Sequence, residues 1–199
     1  MLKKIEQQAE AHIDEHDRRK QNGPQKIDIA PLHRLKVQFL DRIFPENPPV
    51  MAKNRPLKRH PALIPYSRQH HLMLVLAQLL KAGSPPYRGL PTDADGKRDY
   101  ALAEYRRLIR DHLGLEEHVL MPLAREHAPA LRELTERIRR EHEELHAQFE
   151  ALPAIPDKAL PAALDALGRL LEGHIRFEER EWFQQLQQHE AFVNALMEA

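Results

Sequence analysis

The sequence predicts an all-α protein, an antiparallel up-down-up-down four-helix bundle with an N-terminal helical extension. Three observations lead there. Apolar residues recur at spacings of three and four along four separate segments, the period of a helix face rather than of a strand. Prolines and glycines punctuate the chain between these segments, and the connections are mostly short, which favours antiparallel neighbours. No stretch alternates apolar and polar residues as a half-buried strand would, and no internal repeat is visible.

Residues 1–50 form the extension and 51–199 the bundle domain. A short charged helix is expected over 1–20, with Leu2, Ile5, Ala9 and Ile13 as its apolar edge. His12 and His16 are four apart in it, but their neighbours are charged, so both read as solvated. Asn22-Gly23-Pro24 ends that helix, and Pro31 to Phe44 supplies a second amphipathic segment. Six prolines between Pro45 and Pro65 mark a linker, and Lys53, Arg55, Lys58 and Arg59 read as its solvated charges. The first bundle helix is expected from Ser67, a good N-cap, to about Ala82. After a loop at 83–96, the second runs from about Lys97 to Glu126, with a kink expected at Pro122. Pro129 opens the third, and Pro153 and Pro156 close it. The fourth follows Asp157 and reaches about Gln188, and 190–199 adds a short helical piece.

At 199 residues, 42% hydrophobic and 30% charged, the chain suits one globular domain with an appendage. Lysine plus arginine and aspartate plus glutamate balance at 30 each, which argues against nucleic acid or an anionic membrane as partner. No apolar run reaches the roughly 18–20 residues of a membrane span, and the N-terminus lacks the apolar core of a signal peptide, so a cytoplasmic location is expected. The absence of cysteine excludes disulfides, thiolate metal sites and thiol catalysis.

Four helical faces place imidazoles and carboxylates inside apolar stripes. His112 and Glu116 interrupt Leu102, Tyr105, Ile109, Val119 and Leu123; His142 and His146 interrupt Leu134, Ile138, Leu145 and Phe149. His174 and Glu178 follow Leu164, Leu167 and Leu171, with Trp182 next on that face, and the first helix offers His70 or His71, of which His70 has the more apolar column. One such pair could be a buried His–Glu hydrogen bond. Four of them, each where an unpaired polar group costs several kcal/mol, point to metal. Imidazole and carboxylate donors suit iron, manganese or zinc, and the donors outnumber what one tetrahedral ion takes.

The order His, His-x-x-x-Glu, His-x-x-x-His, His-x-x-x-Glu over roughly residues 57–185 resembles hemerythrin-like (HHE cation-binding) domains, including the phrases His112…Glu116-Glu117 and His174…Glu178-Glu179. The resemblance implies a four-helix bundle holding two non-haem, oxo- or hydroxo-bridged iron ions, with manganese or zinc as the lesser alternatives. Its ligands would be His70 or His71 with His112, Glu116, His142, His146, His174 and Glu178. Two bridging carboxylates and five imidazoles would leave one coordination position open to a small diatomic ligand or peroxide. One departure stands out: oxygen-carrying hemerythrins end in His-x-x-x-x-Asp, whereas this chain offers Glu178 at the fourth and Glu179 at the fifth position after His174. Three function classes follow: a protein that binds or senses dioxygen, nitric oxide or peroxide or buffers iron; a di-iron redox enzyme; and a helical interaction protein with structural histidines.

Overall fold

A computed structural model describes residues 57–199. The expected helices at 1–20 and 31–44, most of the linker, and His12, His16 and His33 lie outside the described residues. Among the described residues there are five helices and no strand.

Helix α1 is Ile64–Leu80. It follows a 3-10 turn at Pro61–Leu63, in which the His60 side chain accepts from the Ala62 amide. The helix therefore starts before Ser67. Pro61 and Pro65 both sit in first turns, where the missing N–H removes no bond, and the Ser67 hydroxyl is used elsewhere, on Glu179. Helix α2 covers residues 94–127. Its N-cap is Asp93, whose carboxylate accepts from the Gly96 amide at 2.8 Å, so it begins earlier than Lys97. Helix α3 is Arg132–Ala151, entered through a 3-10 turn at Pro129–Leu131 and left through another at Leu152–Ala154. Helix α4 covers residues 160–186, and α5 is Glu190–Glu198.

Helices α2 and α4 are not uniform. Tyr105–Ile109 and Glu116–Leu120 in α2, and Glu178–Trp182 in α4, are π-helical turns. In each, an amide reaches back five residues: Arg110 to Tyr105, Met121 to Glu116, Phe183 to Glu178. Each π-turn inserts one extra residue, which rotates the following face by about 100°. This corrects the expected stripe of α2. Val119 and Leu123 are only half-buried, and Leu120, Met121 and Ala124 take the core positions instead. Pro122 lies just after the second of these turns, so its missing amide is accommodated by widening the helix there.

Helix α4 packs against α1, α2 and α3. The apolar core falls into two clusters. One contains Met73, Leu76, Ile109, Leu113, Leu145, Phe149, Leu171 and Ile175. The other contains Leu63, Leu120, Ile138, Trp182, Phe183 and Phe192. The division falls at the same level on every long helix: between Leu63 and Met73, Leu113 and Leu120, Ile138 and Leu145, Ile175 and Trp182. At that level stand His70, Glu116, His142 and Glu178, all buried. Trp182 closes the layer on one side, its indole N–H donating to Thr135 Oγ1 at 3.2 Å.

Helices α1 and α4 meet closely at Gly168, where a Cβ would stand 2.7 Å from the Ala77 carbonyl oxygen and 3.1 Å from Leu80 Cβ. Backbone cannot yield there without separating the two helices. Gly168→Ala is expected to lower stability by about 1–3 kcal/mol. Gly173→Ala, with nothing within 4 Å of its Cβ, should be neutral or stabilising by up to about 1 kcal/mol from helix propensity. Urea midpoints of the two variants check the contrast.

Candidate metal centre

Six side chains meet in the layer between the two apolar clusters. Each of the four long helices contributes one histidine, and α2 and α4 add one glutamate each, a turn beyond their histidine. His70, His112, Glu116 and Glu178 can direct one atom each to a common point, as can Glu116, His142, His174 and Glu178. In each foursome the donor atoms lie within 4.8 Å of one another. The two carboxylates belong to both foursomes, so the arrangement is two two-histidine positions joined by Glu116 and Glu178.

The donor spacings fit ions. Two donors each about 2.1 Å from one ion stand about 3 Å apart at right angles and about 4.2 Å apart when opposite. His70 Nε2 is 3.1 Å from Glu178 Oε2, His112 Nε2 is 3.4 Å from Glu116 Oε1, and His70 Nε2 is 3.0 Å from His112 Nε2. On the other side His142 Nε2 is 3.3 Å from Glu116 Oε2 and His174 Nε2 is 3.4 Å from Glu178 Oε1. The ring pairs His70–His112 and His142–His174 repeat one geometry, with centroids 4.8 and 4.9 Å apart and interplanar angles of 81° and 72°. Both oxygens of Glu116 and of Glu178, and Nε2 of His142 and His174, are buried without a hydrogen-bond partner. Buried polar atoms are rarely left so. A group of them converging on two points is the chemistry of a cation site.

The outward ring nitrogens are held by a closed circuit of partners. Gln69 of α1 takes His112 Nδ1 of α2 at 3.1 Å, and Glu117 of α2 takes His142 Nδ1 of α3 at 3.0 Å. Glu141 of α3 takes His174 Nδ1 of α4 at 3.0 Å, and Glu179 of α4 takes His70 Nδ1 of α1 at 2.6 Å. Each partner is the chain neighbour of an inner donor on its own helix and serves the histidine of another. Nδ1–H donation to these oxygens leaves every Nε2 lone pair facing inward, the tautomer a metal needs. Glu179 also accepts from the Ser67 hydroxyl at 2.6 Å and is paired with the Arg59 guanidinium.

The family model for the hemerythrin HHE cation-binding domain matches residues 66–186. The chain belongs to this family. Searches of the curated proteins and of the solved structures find no match.

In this HHE domain the structure brings together His70, His112, Glu116, His142, His174 and Glu178, and leaves His71 and His146 outside. His71 is half-buried, because on α1 it is rotated about 100° from His70 and leaves the inward column. His146, expected as a fifth imidazole, lies outside both foursomes. One turn beyond His142, the inward position at that level belongs to Leu145, which is fully buried. The His146 ring, 28% exposed, instead engages the Tyr105 hydroxyl through Nδ1 at 2.6 Å and places Nε2 3.7 Å from Glu117 Oε1. Of the two acids after His174, Glu178 points inward at the fourth position and Glu179 outward at the fifth. Sequence reading missed the roles of Gln69, Glu117, Glu141 and Arg59. The doubled acids Glu116-Glu117 and Glu178-Glu179 were the available signal for two of the outer partners. His60, His118, His127 and His189 take no part in the cluster.

Two buried carboxylates that share one pocket demand compensating positive charge. Without metal it comes from imidazoles. Burial disfavours the charged ring of His70, but Glu116 and Glu178 against it outweigh this and raise its pKa to about 9. For His142 the same opposition, with Glu117 added, raises it to about 11. His112, for which burial dominates, is shifted down. Burial and mutual repulsion work against ionised Glu116, and burial against Glu178, yet the surrounding imidazoles hold both below the ordinary range.

These shifts set the pH behaviour of the metal-free protein. The raised imidazoles contribute stability fully below about 6.5, and lose it as pH climbs through about 9 and then about 11. The depressed carboxylates contribute above about 4.5 and lose it in acid. His112, shifted down, works against the folded state as pH falls below about 6.5, so chelator-treated protein is expected to melt highest at about pH 6.5 and progressively lower toward about pH 10. Metal affinity should rise over that alkaline range, because ions displace the same protons. Melting curves and metal titrations across pH check both slopes.

Two substitutions on α3 separate inner donor from neighbour. His142→Ala is expected to remove at least half of the bound metal, whereas His146→Ala leaves metal per chain unchanged. Metal analysis of the purified variants decides it, and loss of metal from His146→Ala would contradict the geometry.

Proposed function

We propose that this HHE domain holds two non-haem iron ions and uses them to bind or sense a small ligand, dioxygen, nitric oxide or peroxide, or to buffer iron. The observation that carries the reading is the set of buried, partnerless carboxylate and imidazole atoms converging on two adjacent points. His70 and His112 would hold one ion, His142 and His174 the other, with Glu116 and Glu178 shared. Two imidazoles with carboxylates and positions left over suit non-haem iron, and iron would supply the site's capacity to take up a small ligand or an electron. The rest of the chain orients the donors and excludes water. The long helices support an up-down-up-down antiparallel bundle, since α1 and α3 run from the Trp182 cluster toward the Phe149 cluster, and α2 and α4 run in the opposite sense.

A surface hollow of about 610 Å³ is lined by Gly114, Glu117 and His146, and Glu117 reaches from it to His142 Nδ1. This supports access by molecules of a few atoms. One observation favours a second reading, a di-iron redox enzyme. The run Tyr105–His146–Glu117–His142 links a buried phenol to an inner donor through contacts of 2.6, 3.7 and 3.0 Å.

Protein purified in air after growth with added iron is expected to carry close to two irons per chain and to absorb in the near ultraviolet. Occupancy by a single zinc, or no metal, would defeat the reading. Multiple turnovers of peroxide or nitric oxide by the loaded protein would select the enzyme over the binding protein.

A further inference from the structure

We propose that the two metal positions are inequivalent, that the His142/His174 position fills before the His70/His112 position, and that Gln69 and Arg59 set this order. The inference rests on the two-metal reading above. The inner donors cannot distinguish the positions, since each has two imidazoles and the same two carboxylates. The outer partners do. His142 and His174 both donate Nδ1–H to carboxylates, Glu117 and Glu141. Among the described residues, the guanidinium or ammonium group paired with Glu141 is that of Arg137, about half exposed, where solvent screens the pair.

Around the other position the circuit is weaker twice over. His112 meets a neutral amide, Gln69 Oε1. His70 meets Glu179, but that carboxylate is largely buried and already paired with the Arg59 guanidinium, and it also accepts from Ser67. An anionic partner on Nδ1 makes an imidazole a stronger donor at Nε2, and such partners are typically worth 10–100-fold in metal affinity. The His142/His174 position has two such carboxylates facing its imidazoles. The His70/His112 position has one, and its charge is cancelled at short range in a buried setting, where screening is weak. Gln69 is the single member of the circuit that is not an acid.

The test is an anaerobic calorimetric titration of the metal-free full-length chain with ferrous ion. Wild type is expected to bind two ions in separate steps, the second weaker by about 10-fold or more. Gln69→Glu, nearly isosteric at a half-buried position, should tighten the second step by about 10-fold and leave the first in place. Arg59→Gln should also tighten the second step. A merely structural role for the Arg59–Glu179 pair would loosen it instead. His70→Ala should keep the tight step and lose the weak one, and His174→Ala the reverse, with circular dichroism confirming the helical fold of each. Two equal steps in wild type, no response to Gln69→Glu, or loss of the tight step in His70→Ala would overturn the order. Uptake of fewer than two ions by wild type would overturn the two-metal reading itself.

Discussion

The structure depends on two carboxylates, Glu116 and Glu178, buried completely and facing each other across the interior of a helical bundle. Ionised, they repel in a medium that screens poorly; neutral, they would lose the donors that surround them. His70 and His142 resolve the conflict in the metal-free protein by holding protons, and all four inward-facing imidazoles can turn their Nε2 atoms to ions instead. The core is correspondingly divided. Apolar packing is continuous above and below the layer and interrupted within it. A cation bound in this layer would stabilise the whole fold by linkage.

Holding that layer requires helices that are locally irregular. Each inner glutamate is the first residue of a π-turn, one turn after its histidine. The α-helical turn before it sets the His-x-x-x-Glu pair on one face. The wider turn after it then re-aims the chain so that Leu120 and Met121, or Trp182 and Phe183, close the core beneath. Such turns cost hydrogen-bond geometry and are commonly found where function requires them. Glycine contributes at one place, Gly168, where α1 and α4 touch and keep their histidines level.

The outer circuit adds a second degree of organisation. Because each partner adjoins an inner donor in the chain, fixing one helix against its neighbour positions an ion-facing group and an orienting group together. A shift of any helix would disturb two histidines at once. The segment just before α1 joins this system through Arg59, and it is anchored by Gln187, whose side chain accepts from the His60 amide and donates to the Lys58 carbonyl.

Much of this was legible in the chain alone. Helix faces follow from residue spacing, because a 3.6-residue period is a local property, and helix ends follow from prolines and glycines for the same reason. The six inner residues stood out together with His71 and His146, because a polar group amid leucines is costly wherever the helix lies. What lay beyond sequence was set by neighbours distant along the chain. His146 shares the spacing of an inner donor with His142, yet it turns to Tyr105, 41 residues away, because Leu145 already fills the core at that level. The phase slip after Glu116 comes from a π-turn that no residue type announces, and it exchanges Val119 for Leu120 in the core. Gln69 and Glu141 carry no signal in sequence, and only the packing of one helix on the next brings Glu141 to His174 or Glu179 to His70. Residue type and spacing along the chain mark which side chains must be kept from water. Tertiary structure decided which of them meet, because meeting depends on the rotation and level of whole helices.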